Sequence, residues 1–331
     1  MTTNIFDQNL DKIKGAILGH ALGDALGMPS EFPPHTFYTG NLDVNISKSR
    51  FQGTRYFVKG QVSDDTEMTF ALFNSMKNKT STILEYMDFA NSGNPCLGKN
   101  TRNLFKGVKT EKGYESRYKK NFIETDKETW TQSNGCLMRC YPFGLINRPD
   151  LAEKDCKLTN PSAICVEAVS LFIKSIHNAM YGMEKLDIVK KVVSEIKHPM
   201  LKIAIENSFN KDPKIRDISL NRGWVCHAFY CAYWSLLHFD DYKSAIDAVI
   251  VHSRNSTGSR VGDTDTNACI SGALLGSYYG LKKLQENDCV SQFIKILFNC
   301  NTEDGDFPRP KKYLVSEENI ASFCKVLIEY N

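Results

Sequence analysis

The chain lacks the features that would place it in a simple class. Its 41 basic and 38 acidic residues leave a formal net charge of only +3, so no basic surface for a nucleic acid is expected. The eleven cysteines include no CxxC pair, and their odd number argues against a disulfide framework. Seven histidines show neither HExxH nor paired Cys/His spacing, which removes the common zinc motifs. The N-terminus, MTTNIFDQNLDK, has no apolar signal segment, and His20 and Asp24 interrupt the first glycine-rich helix, itself too short to cross a bilayer. No membrane segment is therefore expected, and a reducing cytosol is the expected setting. There the sequons at Asn45, Asn78 and Asn255 go unused. Strand signals are few, residues 55–62 being the best, and no composition break marks a domain boundary.

What is present is helical period. At 331 residues and 42% hydrophobic, the chain can bury a large core. Apolar residues recur at three- and four-residue spacing over 163–177, 184–197, 223–238, 241–251, 265–284, 289–299 and 317–329. The last of these has Ser316 as its expected N-cap and Ile320, Phe323, Cys324 and Leu327 as its stripe. Two stretches read as surface excursions: 106–129, dense in charge, and 301–312, with Gly305, Pro308 and Pro310. Residues 254–260 form a small polar segment suited to a loop at a cleft mouth.

Two ridges of small residues stand out. Gly15, Gly19, Gly23 and Gly27 recur every fourth residue, and Ala268, Gly272, Gly276 and Gly280 repeat the spacing. Each series falls on one helix face. Glycine costs roughly 1 kcal/mol per helical position relative to alanine, so four in register require close packing against another backbone. Such packing draws Asp24, Asp263 and Asp265 towards one region.

Beside the ridges lie two acidic clusters about 200 residues apart: Ser63-Asp64-Asp65-Thr66 and Gly262-Asp263-Thr264-Asp265-Thr266. Adjacent carboxylates repel, and the flanking hydroxyls add hard oxygen donors, so each cluster reads as half of a divalent-cation site for magnesium or manganese. The bland alternative for each is a helix N-terminus. Ser63 can cap the pattern that follows it, Asp64 and Glu67 have capping-box spacing, and Asp263 can cap the next helix. Convergence of both clusters favours the metal reading, because four uncompensated carboxylates in one cleft are otherwise hard to explain.

The segments GAILGHALGDALGMPSEF (15–32), SDDTEM (63–68), GKNT (98–101), SNGCLMRCYPFG (133–144), RGWVCHAFYCAYWSLL (222–237) and GDTDTNACISGALLGSYYG (262–280) together resemble the ADP-ribosylglycohydrolase family, which includes the dinitrogenase-reductase-activating glycohydrolases. They occur in the family's order and cover most of the chain. The resemblance implies an all-α fold, a single compact orthogonal bundle over residues 1–331. It further implies two magnesium or manganese ions in a central cleft and hydrolysis of the glycosidic bond joining ADP-ribose to a protein or small acceptor. Carried over, the metal shell is Ser63, Asp64, Asp65, Asp263, Asp265 and Thr266. Gly98, Asn134, Gly135 and Met138 fall on the ADP-ribose side, and Glu31 matches a glutamate that approaches metal and substrate. Arg139 is an anchor or a structural ion-pair partner, the structural role being favoured. Ser133 stands where relatives carry glycine, and Asn160 about where they often carry histidine.

Cleavage at an anomeric carbon passes through an oxocarbenium-like state and needs a placed water and a base. Asp65 is the first candidate for that base, or an essential ligand beside it, and Glu31 the second. The expected partners are ADP-ribose conjugates, with no nucleic acid and no membrane, and a monomer is expected. Cys136 and Cys140 read as a buried structural pair, and Trp224, Phe229, Tyr233 and Trp234 as core. Two other classes stay open: a relative that binds ADP-ribose without catalysis, and a phosphotransferase using Asp263-Thr264-Asp265 as a DxD motif. The latter requires a preceding β-strand.

Overall fold

Four glycines at four-residue spacing strip one helix face of side chains, and a helix of 1.5 Å rise per residue places them about 6 Å apart, in step with a second helix of the same kind. A computed structural model describes residues 2–31, 49–51, 55–123, 132–253 and 261–330. Its α-helices in chain order are α1 (Thr2–Glu31), α2 (Asp64–Asn78), α3 (Thr82–Asn91), α4 (Lys99–Phe105), α5 (Glu111–Tyr118), α6 (Tyr141–Leu145), α7 (Pro149–Thr159) and α8 (Ala163–Met180). There follow α9 (Lys185–Glu195), α10 (Pro199–Ser208), α11 (Val225–His238), α12 (Tyr242–His252), α13 (Thr264–Tyr279), α14 (Leu281–Gln285), α15 (Asp288–Phe298) and α16 (Glu317–Tyr330). The fold is all-α. Among the described residues the one sheet is a two-stranded antiparallel ribbon, Ser49–Phe51 against Arg55–Phe57, with Arg50 opposite Tyr56. The strand expected over 55–62 is thus realised only in its first three residues, because the chain turns at Gly60, whose φ is +80°.

The ridges pack as their spacing demands. Antiparallel α1 and α13 meet backbone to backbone, Gly15 against Gly276 and Gly280, Gly19 against Gly272, Gly23 against Ala268, and Gly27 against Thr264 and Asp265. A Cβ added at Gly27 would lie 2.5 Å from the Thr264 carbonyl oxygen and 2.6 Å from the Asp265 Cα, so no larger residue fits. The Thr264 hydroxyl of α13 donates to the Gly27 carbonyl of α1 at 2.8 Å, and from α12 the Tyr242 hydroxyl donates to the Gly19 carbonyl at 2.5 Å. The expected helix over 265–284 is two helices, α13 and α14, broken where Gly280 takes φ +80°.

One continuous apolar cluster runs from Ile13 to Leu327 and surrounds this pair. Helix α8 is long and apolar enough to cross a membrane, yet 61% of it is buried inside the protein, where it acts as a core helix. Ser316 caps α16 as expected, its hydroxyl accepting from the Asn319 N–H at 3.2 Å.

The segment at 301–312 runs over the surface as expected, mostly exposed, but it is pinned by buried Thr302, Phe307 and Arg309. Phe307 packs on Phe57 and Met28, Gln61 donates to the Phe307 carbonyl at 3.0 Å, and buried Arg309 pairs with buried Glu67 at 2.7 Å. Its glycine and prolines shape a strap whose arginine needs an acid inside the fold, a requirement that local sequence does not display. In the charged stretch 106–129, Tyr114 of α5 stacks on Phe105 with centroids 5.1 Å apart; residues 124–129 lie outside the described ones, as does 254–260.

Gly19→Leu and Gly272→Leu should each destabilise the protein by a few kcal/mol through overpacking against a facing carbonyl. Thermal melts read this directly, and melting temperatures equal to the parent's would show that the two ridges do not set the α1–α13 spacing.

Candidate functional site

Close approach of α1 and α13 leaves the N-terminal end of α13 beside the C-terminal end of α1, and α2 begins at the same place. Asp24, Asp65 and Asp265, one from each helix, offer carboxylate oxygens that all lie within 4.8 Å of one another. Glu31, Asp263 and Asp265 form a second such group, so Asp265 belongs to both. The two acidic clusters of the sequence therefore converge. Thr266 joins them, its hydroxyl lying 3.2 Å from both Asp65 oxygens and 3.0 Å from Asp263 Oδ1. Ser63 Oγ is 3.2 Å from Asp65 Oδ2. Asp64 stands slightly apart, with Oδ2 accepting from the Gly98 N–H at 2.9 Å.

The helix-cap readings apply only in part. Ser63 is the N-cap of α2, accepting from the Asp65 N–H. Glu67 closes no capping box; it is held by Arg309 and Asn94. Instead Asp24 of α1 accepts from the Ser63 N–H at 3.0 Å, the Thr66 N–H at 3.0 Å and the Thr66 hydroxyl at 2.6 Å. It thus satisfies the start of α2 from another helix. Asp263 occupies the N-cap position of α13 without a side-chain cap bond; its carboxylate turns to Thr266 and to Asn134, which donates to Asp263 Oδ2 at 2.8 Å. Asp263 is the N-cap residue of α13 and Thr264 and Asp265 lie in its first turn, so the run read as a DxD phosphotransferase motif opens a helix; residues 254–260 ahead of it lie outside the described ones.

Burial, with mutual repulsion behind it, raises the proton affinities of Glu31, Asp64, Asp65 and Asp265. Burial, with the charges of Asp24, Glu31 and Asp263, pushes Asp64 up to about 8. Burial and Asp263 push Glu31 up to about 7, against the opposing pull of Arg222. Asp65 and Asp265 are raised well above the ordinary carboxylate range, again by burial first and neighbouring carboxylates second. Burial pushes His20 the other way, down to about 4, so it is a neutral brace between Met138, whose carbonyl lies 2.7 Å from Nε2, and Thr66. Such a set of hard oxygen donors, short of positive charge, fits a hard divalent cation by its donor chemistry.

The clusters lie in a cavity of about 910 Å³ lined also by Gly98, Asn134, Gly135 and Met138, so the residues expected on the substrate side do share the cleft. Their wall is braced from behind. Arg139 is fully buried, pairs with Asp155 at 2.9 Å and donates to the Gly135 carbonyl, which is the structural role. Asn160 donates to Ser133 Oγ at 2.8 Å and to its carbonyl at 3.1 Å, so the two positions that depart from the family's pattern are bonded to each other. Cys136 and Cys140 are buried free thiols. Phe229, Tyr233 and Trp234 are core, but Trp224 lines the cleft, with the Arg216 guanidinium 5.4 Å from its ring centroid. Sequence reasoning also missed Arg222, which lines the cleft and pairs with Glu31. Its signal was its place in the RGWV segment next to a glycine. Asp24 was placed in the right region but its bracketing of α2 was not foreseen.

A second cavity, of about 750 Å³, lies between α7 and α8 and contains none of these residues. Comparison with known proteins agrees with the larger cleft's chemistry. The chain matches the ADP-ribosylglycohydrolase family over residues 6–293. It is 25% identical over 297 residues to ADP-ribosylarginine hydrolase Tri1 of Pseudomonas putida (strain GB-1), covering 83% of this chain and 72% of that one. It is 22% identical over 277 residues to ADP-ribosyl-[dinitrogen reductase] glycohydrolase of Rhodospirillum rubrum, covering 82% and 86%. Among solved structures, an ADP-ribosylglycohydrolase-related protein complex superposes with a TM-score of 0.65 over 98% of this chain and 100% of that one, at 19% identity, which speaks for the fold alone. With the matched segment spanning most of the sequence, and the acidic clusters meeting in one cleft, the chain belongs to the ADP-ribosylglycohydrolase family.

Proposed function

We propose that this protein is a hydrolase that uses two divalent cations, magnesium or manganese, to cleave the glycosidic bond between ADP-ribose and a protein side chain or small acceptor. The observation that carries the reading is the pair of carboxylate groups that share Asp265 at the base of one cleft. Ser63, Asp64, Asp65, Asp263, Asp265 and Thr266 would hold the ions, whose Lewis acidity would polarise the ribose hydroxyls and a water. Asp24, which accepts from three donors at the start of α2, keeps that helix in place and adds its negative charge beside Asp65 and Asp265. Asp65, buried and flanked by hydroxyls, takes the proton of the water that attacks the anomeric carbon, and Glu31 is the second candidate for that role. The new bond joins water oxygen to the anomeric carbon, the old one to the acceptor breaks, and the acceptor atom leaves with a proton. Asn134, Gly135, Met138 and Gly98 line the ADP-ribose side. Eleven free cysteines support a reducing compartment, and the continuous core supports a single-domain monomer.

A panel of arginine-linked, serine-linked, polymeric and small-molecule ADP-ribose conjugates, assayed with magnesium, manganese and chelator, tests the reading. Cleavage of at least one conjugate, lost with chelator, is expected; cleavage of none would overturn it.

Metal should also stabilise the fold, since it binds the folded state and relieves repulsion there; a cation at a hundredfold excess over its Kd adds about 2.7 kcal/mol. In Asp265→Asn the metal-free protein should melt at or above the parent's temperature, the metal-induced rise should shrink, and hydrolysis should collapse. A mere helix cap would instead lose about 1 kcal/mol with or without metal.

The pH dependence follows from the raised carboxyls. Asp64 at about 8 and Glu31 at about 7 bind protons in the folded state that an unfolded chain, with carboxyls near about 4, has released. That contribution to stability is complete below about pH 4 and is lost as pH rises through 7 and 8. Chelated protein should therefore melt at progressively lower temperature from about pH 5 to about pH 8.5, and saturating magnesium should flatten the curve. Equal slopes with and without magnesium would detach the ions from these carboxylates.

A further inference from the structure

Arg222 is held in a turn built for it. Asn221 and Gly223 on either side adopt φ +53° and +72°, the Trp224 N–H donates to the Asn221 carbonyl at 3.0 Å, and the Gly223 carbonyl accepts from the Asn134 N–H at 2.8 Å. A Cβ on Gly223 would stand 3.2 Å from Asp263 Oδ2, so the turn's backbone abuts the acidic cluster. From that base the Arg222 side chain, 48% exposed, runs along the cleft and donates Nη2–H to Oε1 of Glu31, which is 11% exposed. Glu31 is thus a carboxylate of the cluster that already carries a guanidinium, and the guanidinium is the protein's own.

We propose that Arg222 determines acceptor selectivity, by occupying the carboxylate that a guanidinium-linked acceptor would use and so favouring conjugates joined through a neutral hydroxyl oxygen. The inference rests on the hydrolase reading above and names the acceptor class for that site. Arg222 meets Glu31 through one Nη2–H bond to Oε1, so a second guanidinium arriving there would lose the bidentate fork it otherwise makes with a carboxylate and would meet the first one's charge. An O-linked acceptor brings no positive charge, so it loses nothing to Arg222. Discrimination thus comes from a repulsive element as well as an attractive one.

Two measurements test this, one of them independent of turnover. Agmatine serves as a bare guanidinium probe, titrated by calorimetry into the magnesium-loaded protein. R222Q should bind it about fivefold more tightly than the parent, R222K should stay near the parent, and R222Q/E31Q should lose the gain. In turnover, the ratio of kcat/KM for an ADP-ribosylarginine peptide over an ADP-ribosylserine peptide should rise about fivefold in R222Q and not in R222K. Agmatine affinity unchanged or weakened in R222Q, or a gain that survives E31Q, would overturn the role of Arg222. If the parent cleaves neither these peptides nor the polymeric and small-molecule conjugates, the hydrolase reading fails while the agmatine titration still decides the fate of Arg222.

Discussion

The contact between the glycine faces of α1 and α13 is the constraint on which the rest of the molecule depends. Side chains on either face would hold the two helices apart at an ordinary 8–10 Å interaxial distance. Glycine at 15, 19, 23 and 27 against Ala268, Gly272, Gly276 and Gly280 removes that spacing and brings Asp265 within reach of Asp24 and Glu31. The cost in helix propensity is recovered in burial: both helices lie within the one apolar cluster, and their bonds from Thr264 and Tyr242 are shielded from water.

Placing carboxylates there is electrostatically unfavourable, and the surrounding structure is arranged to tolerate it. Asp24 is satisfied by three donors from the start of α2, which fixes Asp64 and Asp65 relative to α1. Behind them Glu67 is tied to Arg309, and Arg139 to Asp155 and Tyr86, two buried ion pairs whose partners have no alternative water. Such pairs add little net stability compared with apolar packing, but breaking one leaves a buried charge unpaired. They hold the strap 301–312 against α2 and the Ser133–Arg139 segment against α7, so α2 and the Asn134–Met138 side of the cleft are both braced from behind. The proton affinities of Asp64, Asp65 and Asp265 on the floor are raised by burial first and by neighbouring carboxylates second.

The cleft's outer wall is built from polar and aromatic side chains. Ser133 and Asn160 bond to each other, Trp224 faces the cavity with Arg216 over its ring, and Arg222 reaches Glu31. All three features sit around a common floor.

The sequence by itself determined the helical period, the two ridges of small residues and the two acidic clusters. Each is a pattern repeated within one or two turns, and its meaning follows from the geometry of a single helix. The close meeting of the ridges and the convergence of Asp65, Asp263 and Asp265 were legible for the same reason, since four glycines in register call for a facing backbone; the antiparallel sense of the meeting was not. The tertiary structure alone decided that Asp24 caps another helix, that Glu67 serves Arg309 rather than a capping box, and that 301–312 is a pinned strap. It also decided that Ser133 meets Asn160, that Trp224 leaves the core for the cleft, and that Arg222 takes Glu31. These are pairings of single polar or aromatic side chains across separations such as 242 residues for Arg309 and Glu67 and 191 for Arg222 and Glu31. An isolated charged or polar residue has no period to announce its partner, and only the packing of the helices that carry it selects which buried group it must satisfy.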